Sequence, residues 1–311
     1  MYGITSSTGK MVLWYAFAIA LASAALCGAG RQLVPSYGTI TGGRWIHLVS
    51  AGETWSSVGA RVGVAPAVLA ARNQRTLRVP LKPGDVLGID NRHVAPSYER
   101  DEILINLPQR MLFHYWGGTL RKAYPVAVGQ TTWQTPLGPF SIVEMEVDPT
   151  WDVPVSIQDE MRRAGKPVLK KVPPGPSNPL GRYWLRLSLG SIGLHGTTAP
   201  SSIYHFATHG CIRLHPDDIE DLFTHVAIGE PGRLVYDPVL VGFDGTDVFL
   251  EVHADAYRHG IDLRARAWQR LDDTGLRHLV DPERVAAVVR AAEGVAVSIT
   301  DTRLIARRSP S

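Results

Sequence analysis

From about residue 98 onward the chain is written in short β-type runs cut apart by turns, which leaves little room for a helical fold. ILINLP (103–108), MLFHYW (111–116), YPVAVG (124–129) and LGPFSIVEMEV (137–147) come first. YWLRLSL (183–189), SIGLH (191–195) and GRLVYD (232–237) complete the set. Runs rich in β-branched and aromatic residues, bounded by Gly, Pro, Asn and Asp, read as strands. One helix is expected among them, Asp217 to Val226, with Ile219, Leu222, Phe223 and Val226 on one face. The sequence therefore predicts a mainly β domain with few helices over 98–238. Residues 149–182 hold seven prolines and read as a functional loop or lid.

The N-terminus is of another kind. Lys10 precedes Met11–Ala29, a run of 19 residues without charge, and Arg31 follows. Its length is close to the roughly 20 residues a helix needs to span a bilayer. Small residues (Ala22, Ser23, Ala24, Ala25, Gly28, Ala29 and Gly30) offer a peptidase places to cut. Cys27 suggests a lipoprotein acceptor, but Leu26 stands where such a site wants a small residue. Residues 1–30 are expected to be an export signal, cleaved or kept as an inner-membrane anchor, and the rest is expected to work in the periplasm or cell envelope. The only other cysteine is Cys211, so neither a disulfide framework nor a cysteine-only zinc site is available. The formal net charge of +3 is too small to argue for a nucleic-acid partner.

Residues 31–44 are turn-rich and read as a linker. Over 45–92 a βααβ unit is expected. Ile46 to Val49 alternates like a strand, and Gly52-Glu53-Thr54 opens a helix with Thr54 as its cap. Trp55, Val58 and Val62 space out at helical intervals, and Pro66 starts a second helix that runs to Asn73. Lys82-Pro83-Gly84-Asp85 turns the chain into a closing strand, Val86 to Ile89. Gly52-Glu53-Thr54, Asn73 and Gly84-Asp85-Val86-Leu87 make this stretch resemble a LysM module. That resemblance implies a small α+β fold that binds N-acetylglucosamine-containing glycan strands, with Gly52, Glu53, Thr54 and Asn73 as candidate glycan-binding residues. Position 53 is more often Asp in the family.

Residues 239–311 form a mixed C-terminal extension. VFLEVHA (248–254) and VAVSIT (295–300) read as strands, and Asp281-Pro282-Glu283 begins a helix to about Ala292. Arg303, Arg307 and Arg308 make a basic tail.

The chemistry concentrates in GLHGTTAPSSIYHFATHGCIRLHPDDIEDL. Five histidines, His195, His205, His209, His215 and His225, fall between positions 195 and 225, and Cys211 lies among them. A nucleophilic cysteine is one reading, because an imidazole nearby lowers a thiol's pKa and glycines beside both groups let backbone amides face an oxyanion. A zinc site is a second, with His205 and His209 spaced four apart, but Gly210 follows at once and no second cysteine is near. A buried structural cysteine is the third. For His205, His215 and His225 ordinary surface or packing roles are expected.

His195-Gly196-Thr197, followed by Thr208-His209-Gly210-Cys211-Ile212-Arg213-Leu214, resembles the signature of the YkuD-type L,D-transpeptidases. Thr135-Pro136-Leu137-Gly138-Pro139-Phe140 and Gly175-Pro176-Ser177-Asn178-Pro179-Leu180-Gly181 extend the match. Tyr236-Asp237-Pro238-Val239 and Phe249-Leu250-Glu251-Val252-His253 point to the family's exported Gram-negative branch. The resemblance implies a YkuD-type β-sandwich and no cofactor. It implies Cys211 as nucleophile, His195 as base and the Gly196 carbonyl as the group orienting it. His209, Gly210 and Cys211 would shape the oxyanion hole, Thr208 would brace the loop, and Arg213 would hold a substrate carboxylate or structure the turn. Tyr204 stands where the family often has Gly and is expected on the pocket rim. The implied reaction releases D-Ala from peptidoglycan tetrapeptide stems through a thioester. It then joins diaminopimelate to a second diaminopimelate, to a lysine of an envelope lipoprotein, or to water as an L,D-carboxypeptidase. Carbapenems are expected to acylate Cys211. An inert peptidoglycan-binding scaffold and a metal hydrolase are the competing readings.

Overall fold

The computed structural model describes residues 37–97 and 102–303. The expected export segment 1–30 and the tail beyond 303 lie outside the described residues. Among the described residues no helix is long and apolar enough to cross a membrane.

The N-terminal piece follows its sequence pattern closely. It runs β1 (Thr39–Thr41), β2 (Arg44–Leu48), α1 (Trp55–Val62), α2 (Pro66–Arg72), β3 (Val86–Asp90) and β4 (His93–Ala95). Thr54 caps α1 in a capping box: its hydroxyl accepts from the Ser57 amide, and the Ser57 hydroxyl accepts from the Thr54 amide. Trp55, Val58, Val64 and Leu69 face inward and bury one small core against Leu87 and Ile89 of β3. The expected linker is structured from Thr39: β1 pairs with β4, and Gly38 bridges Gly242.

The β-rich region runs β5 (Ile103–Asn106), β6 (Met111–Trp116), β7 (Thr119–Gly129), β8 (Gly138–Val147), β9 (Trp151–Asp152), α3 (Val155–Arg163) and β10 (Lys171–Val172). It continues through β11 (Tyr183–Leu187), β12 (Gly193–His195), β13 (Phe206–Thr208), β14 (Ile212–Leu214), α4 (Pro216–Phe223) and β15 (Pro231–Val235). Nine of these strands form one sheet in the order β13-β7-β14-β12-β11-β8-β15-β5-β6. The two halves are joined through β7 and β8, so the sheet curls back on itself. Its closure is the work of β7, whose first part pairs with β6 and whose last residues pair with β14 and β13. A strand of 11 residues is long enough to belong to both halves. The enclosed core is Ile103, Ile105, Leu112, Val126, Ile142, Leu185, Leu194, Ile212 and their neighbours. The proline-rich lid carries a helix that its sequence did not suggest, because α3 buries none of its residues.

The C-terminal piece runs β16 (Val239–Phe243), β17 (Val248–Val252), α5 (Leu263–Asp273), α6 (Pro282–Ala291) and β18 (Val297–Ser298). Its three strands form a sheet covered by both helices. Asp281 caps α6 as its sequence predicts, its carboxylate accepting from the Glu283 and Arg284 amides. This piece joins the other two. Val295 enters the N-terminal core, and Arg72 of α2 pairs with Glu293 at 2.8 Å.

At the junction sits Glu251, fully buried. Its carboxylate accepts from His93 Nδ1 (2.8 Å), His253 Nε2 (2.8 Å), the Val94 amide (2.6 Å) and Gln109 Nε2 (3.0 Å). His93 Nε2 in turn donates to the Gly63 carbonyl at 2.8 Å. Burial alone would raise the Glu251 carboxyl, but the charge and hydrogen bonds of His93 and His253 outweigh it and hold it at about 2. Glu251→Ala, which strands those donors, should cost about 3–5 kcal/mol in denaturant unfolding. Because the folded value lies below the ordinary 4.5, this contribution is complete above that pH and lost as pH falls toward 2. Unfolding measured as a function of pH should show wild type losing its advantage over the variant across that interval.

Candidate active site

β12 and β14 lie side by side and parallel, with Leu194 opposite Ile212 and His195 opposite Arg213. Leu194, Ile212 and Leu214 point into the main core. Side chains alternate along a strand, so His195 and Arg213 belong to the other face, and Cys211, one residue before β14, continues that face beside Gly193. The backbone of Gly193 hydrogen-bonds the Cys211 thiol, and Sγ also approaches the Ser191 carbonyl at 3.9 Å. The two groups separated by sixteen positions in sequence are thereby set on neighbouring strands of one face.

His195 is buried, and its Nδ1 donates to the Gly196 carbonyl at 2.7 Å. That bond fixes the tautomer, with the proton on Nδ1 and Nε2 as the ring's acceptor nitrogen. The Trp184 ring, from the paired position on β11, tilts against the imidazole at a centroid distance of 6.0 Å. A side chain at 193 would collide with the same indole, since an added Cβ would stand 2.3 Å from it. Trp184 thus packs beside the imidazole and over Gly193, a role that nothing in its sequence surroundings signals.

The electrostatics differ from the sequence expectation of a thiol ionised by its neighbour. Burial lowers His195 to about 3, and the Arg213 guanidinium adds to that; the Gly196 and Leu180 carbonyls only partly oppose it. Burial raises the Cys211 thiol, against the smaller opposing effects of the Gly193 bond and Arg213. The resting pair is therefore a neutral thiol beside a neutral imidazole. The reason is tertiary: charged forms lose more by leaving water than one cation returns. Among the described residues no hydrogen bond joins Sγ to the ring, as is common in sites without substrate.

The loop before the cysteine is braced as its motif implies. Thr208 Oγ1 donates to the Cys211 carbonyl at 2.6 Å and accepts from the Gly210 amide at 3.2 Å. The Gly210 amide is thus already engaged. Gly210 takes φ +109, a region in which side chains are strained. His209 points to the lid: its Nε2 pairs with Glu160 of α3 at 2.7 Å, and its ring packs edge-on to Trp133. The lid's base is tied by buried Asn178, which donates to the Pro149 carbonyl and accepts from the Leu180 amide. A cleft of about 390 Å³ opens next to Gly196, lined by Gly175, Pro176, Gly181, Tyr183, Thr197 and Ile219.

Arg213 is mostly buried, and no carboxylate pairs with it among the described residues. One terminal nitrogen donates to Ser202 Oγ at 2.8 Å, and Nε has no hydrogen-bond partner. Tyr204, expected on the pocket rim, lies elsewhere. It adopts φ 64 and is 1% exposed, packed with Ala60 of α1 beneath the Arg110 guanidinium. The backbone takes this disfavoured conformation because the ring fills the joint with the N-terminal piece. His215 caps α4 and contacts Arg61, His225 Nδ1 donates to the Asp221 carbonyl, and the His205 backbone pairs with Val128. In the N-terminal piece, Glu53 accepts from the Ser50 amide and His47, and Asn73 straps α2 to Gly88. Gly52 and Thr54 turn and cap the start of α1. Among the described residues no group of three or more His, Cys, Asp and Glu could hold a metal ion.

A half-buried cysteine and a tautomer-fixed histidine thus lie on adjacent strands, with a glycine-rich turn before the sulfur. Residues 100–241 match the family model of the YkuD L,D-transpeptidase catalytic domain. Probable L,D-transpeptidase ErfK/SrfK of Salmonella typhimurium is 30% identical over 71% of this chain and 74% of its own. Probable L,D-transpeptidase YbiS of Escherichia coli is 34% identical over 55% and 57%, and YcfS of the same species 28% over 80% and 81%. Among solved structures, the E. faecium L,D-transpeptidase catalytic domain acylated by ertapenem is similar at 22% identity. That match covers 44% of this chain and 98% of that one, with a TM-score of 0.35. The chain belongs to the L,D-transpeptidase family and is an enzyme of that activity.

A neutral resting pair has a measurable signature. Alkylation of Cys211 by iodoacetamide should rise with pH through and beyond the ordinary thiol range, because the thiol is raised from its usual 9.0. A rate plateau on the acid side, the mark of a preformed thiolate–imidazolium pair, would refute the neutral assignment.

Proposed function

We propose that the protein crosslinks or trims peptidoglycan in the cell envelope, with Cys211 as nucleophile and His195 as its base. The observation that carries this reading is the shared face of β12 and β14, with His195 Nδ1 committed to the Gly196 carbonyl and Nε2 as the ring's acceptor nitrogen. Both groups are neutral at rest, so the proton passes from Sγ to Nε2 as the sulfur–carbon bond forms. The carbonyl attacked is that of diaminopimelate in a tetrapeptide stem. Collapse of the tetrahedral intermediate expels D-Ala, whose amine takes the proton from His195. A thioester remains, and an acceptor amine or water attacks it and returns the thiol. The cleft beside Gly196 offers room for stem peptide next to the base.

Arg213 fits recognition of a stem carboxylate. A mostly buried guanidinium with an unpartnered Nε gains the most from an anion that brings matched acceptors. Residues 45–92 fit a glycan-holding role. Glu53, Thr54 and Asn73 spend their side chains on internal bonds, so they shape the module, and glycan would meet the surface they organise. A weak catalyst held on an insoluble polymer works at a raised local substrate concentration. The acceptor is an amine of a second stem, an amine of an envelope lipoprotein, or water.

Purified protein incubated with muropeptides should release D-Ala and yield crosslinked or trimmed products by mass spectrometry. Cys211→Ala should yield neither, and should form no carbapenem adduct while still sedimenting with sacculi. Product formation by that variant would refute the nucleophile assignment, and sacculus binding without any wild-type product would favour an inert scaffold. Arg213→Met should lower kcat/KM for the donor stem by about ten- to a hundredfold, the worth of a hydrogen bond to a charged group. An unchanged value would assign Arg213 to loop structure alone.

A further inference from the structure

A hydroxyl pair outside the signature motifs' catalytic residues reaches the cysteine turn from behind. Thr135 is buried, and its hydroxyl accepts from the Gly129 amide at 2.9 Å and donates to the Gly210 carbonyl at 2.8 Å. Tyr257, from the segment that follows β17, donates through its hydroxyl to the Gly129 carbonyl at 2.6 Å and accepts from the Thr135 amide at 3.3 Å. Tyr257 is itself held: Tyr236 Oη accepts from its amide at 2.9 Å, and its ring stacks on Tyr236 and meets Phe206 edge-on. An added Cβ at Gly129 would stand 2.1 Å from the Trp133 carbonyl, so the loop that carries Thr135 folds tightly onto the end of β7.

A trans peptide is planar, and its C=O and N–H point in opposite directions. The Gly210 carbonyl is drawn inward to Thr135, so the Cys211 N–H on the same peptide is turned outward, away from the core. The Gly210 amide cannot share that task while it donates to Thr208. We propose that Thr135, locked by Tyr257, is a positioning residue that sets the Gly210–Cys211 peptide plane and so aims the Cys211 amide at the developing oxyanion. The C-terminal segment thereby contributes to the site, although it supplies no group that touches substrate. This inference rests on Cys211 being the nucleophile.

Two reactions of the same sulfur separate the roles. Acylation by a carbapenem such as imipenem builds an oxyanion, whereas alkylation by iodoacetamide builds none. In the full chain, Thr135→Val should slow acylation about ten- to a hundredfold, somewhat less than outright loss of an oxyanion donor. Its alkylation rate should stay within about twofold of wild type, since thiol ionisation is untouched. Tyr257→Phe, which keeps the packing, should slow acylation by a smaller factor, and Thr135→Ser should restore it. Wild-type acylation rates in both Thr135→Val and Tyr257→Phe would overturn the proposal, as would equal slowing of acylation and alkylation. A wild-type chain that alkylates but never acylates would overturn the cysteine reading itself, and this one with it.

Discussion

The buried carboxylate of Glu251 is the constraint around which the three pieces of the chain are arranged. It is shared by His93 of the N-terminal piece, Gln109 of the curled sheet and His253 of its own strand. An isolated carboxylate in such a place would cost several kcal/mol, and only the full set of donors offsets that. The donors at 93–109 lie more than a hundred positions from His253 and from Glu251 itself, so they are present together only when these segments are docked. Docking is therefore close to all-or-none. The apolar joint around it, where Ala60 and Ala95 meet Leu104, Phe113 and Tyr204, adds area to the same contact.

That docking has a functional side. Helix α1 lies against the turn Pro200–Ser202, and Ser202 holds Arg213. Arg61 of α1 reaches His215 and Asp218 at the start of α4. The piece that resembles a glycan binder and the strand that carries the sulfur thus share one rigid frame. A polymer held by one would be presented to the other at a fixed offset.

The site itself resolves a conflict between burial and ionisation. Burial sharpens every hydrogen bond, yet it disfavours the charged forms of the thiol and the imidazole. The chain settles this by keeping both neutral and by placing unpaired capacity around them. Nε of Arg213 has no hydrogen-bond partner in the resting state, and the lid is held by a Glu160–His209 contact at the surface.

The sequence by itself determined the local facts. The β-type runs, the Thr54 and Asp281 caps, Pro66 and Pro282 at helix starts, and the spacing from His195 to Cys211 are all nearest-neighbour chemistry, and each element formed close to where its pattern placed it. Helices α3 and α5 were not legible, because α3 buries nothing and only Ala267 and Leu271 of α5 are fully buried. Tertiary structure alone decided the closure of the sheet through β7, the burial of Tyr204 at the joint and the linking of Tyr257 to the cysteine turn. It also decided the sign of the thiol's shift. Burial and long-range pairing depend on what every other segment does, and a pattern read along the chain holds no record of which distant surface will exclude water from a given atom.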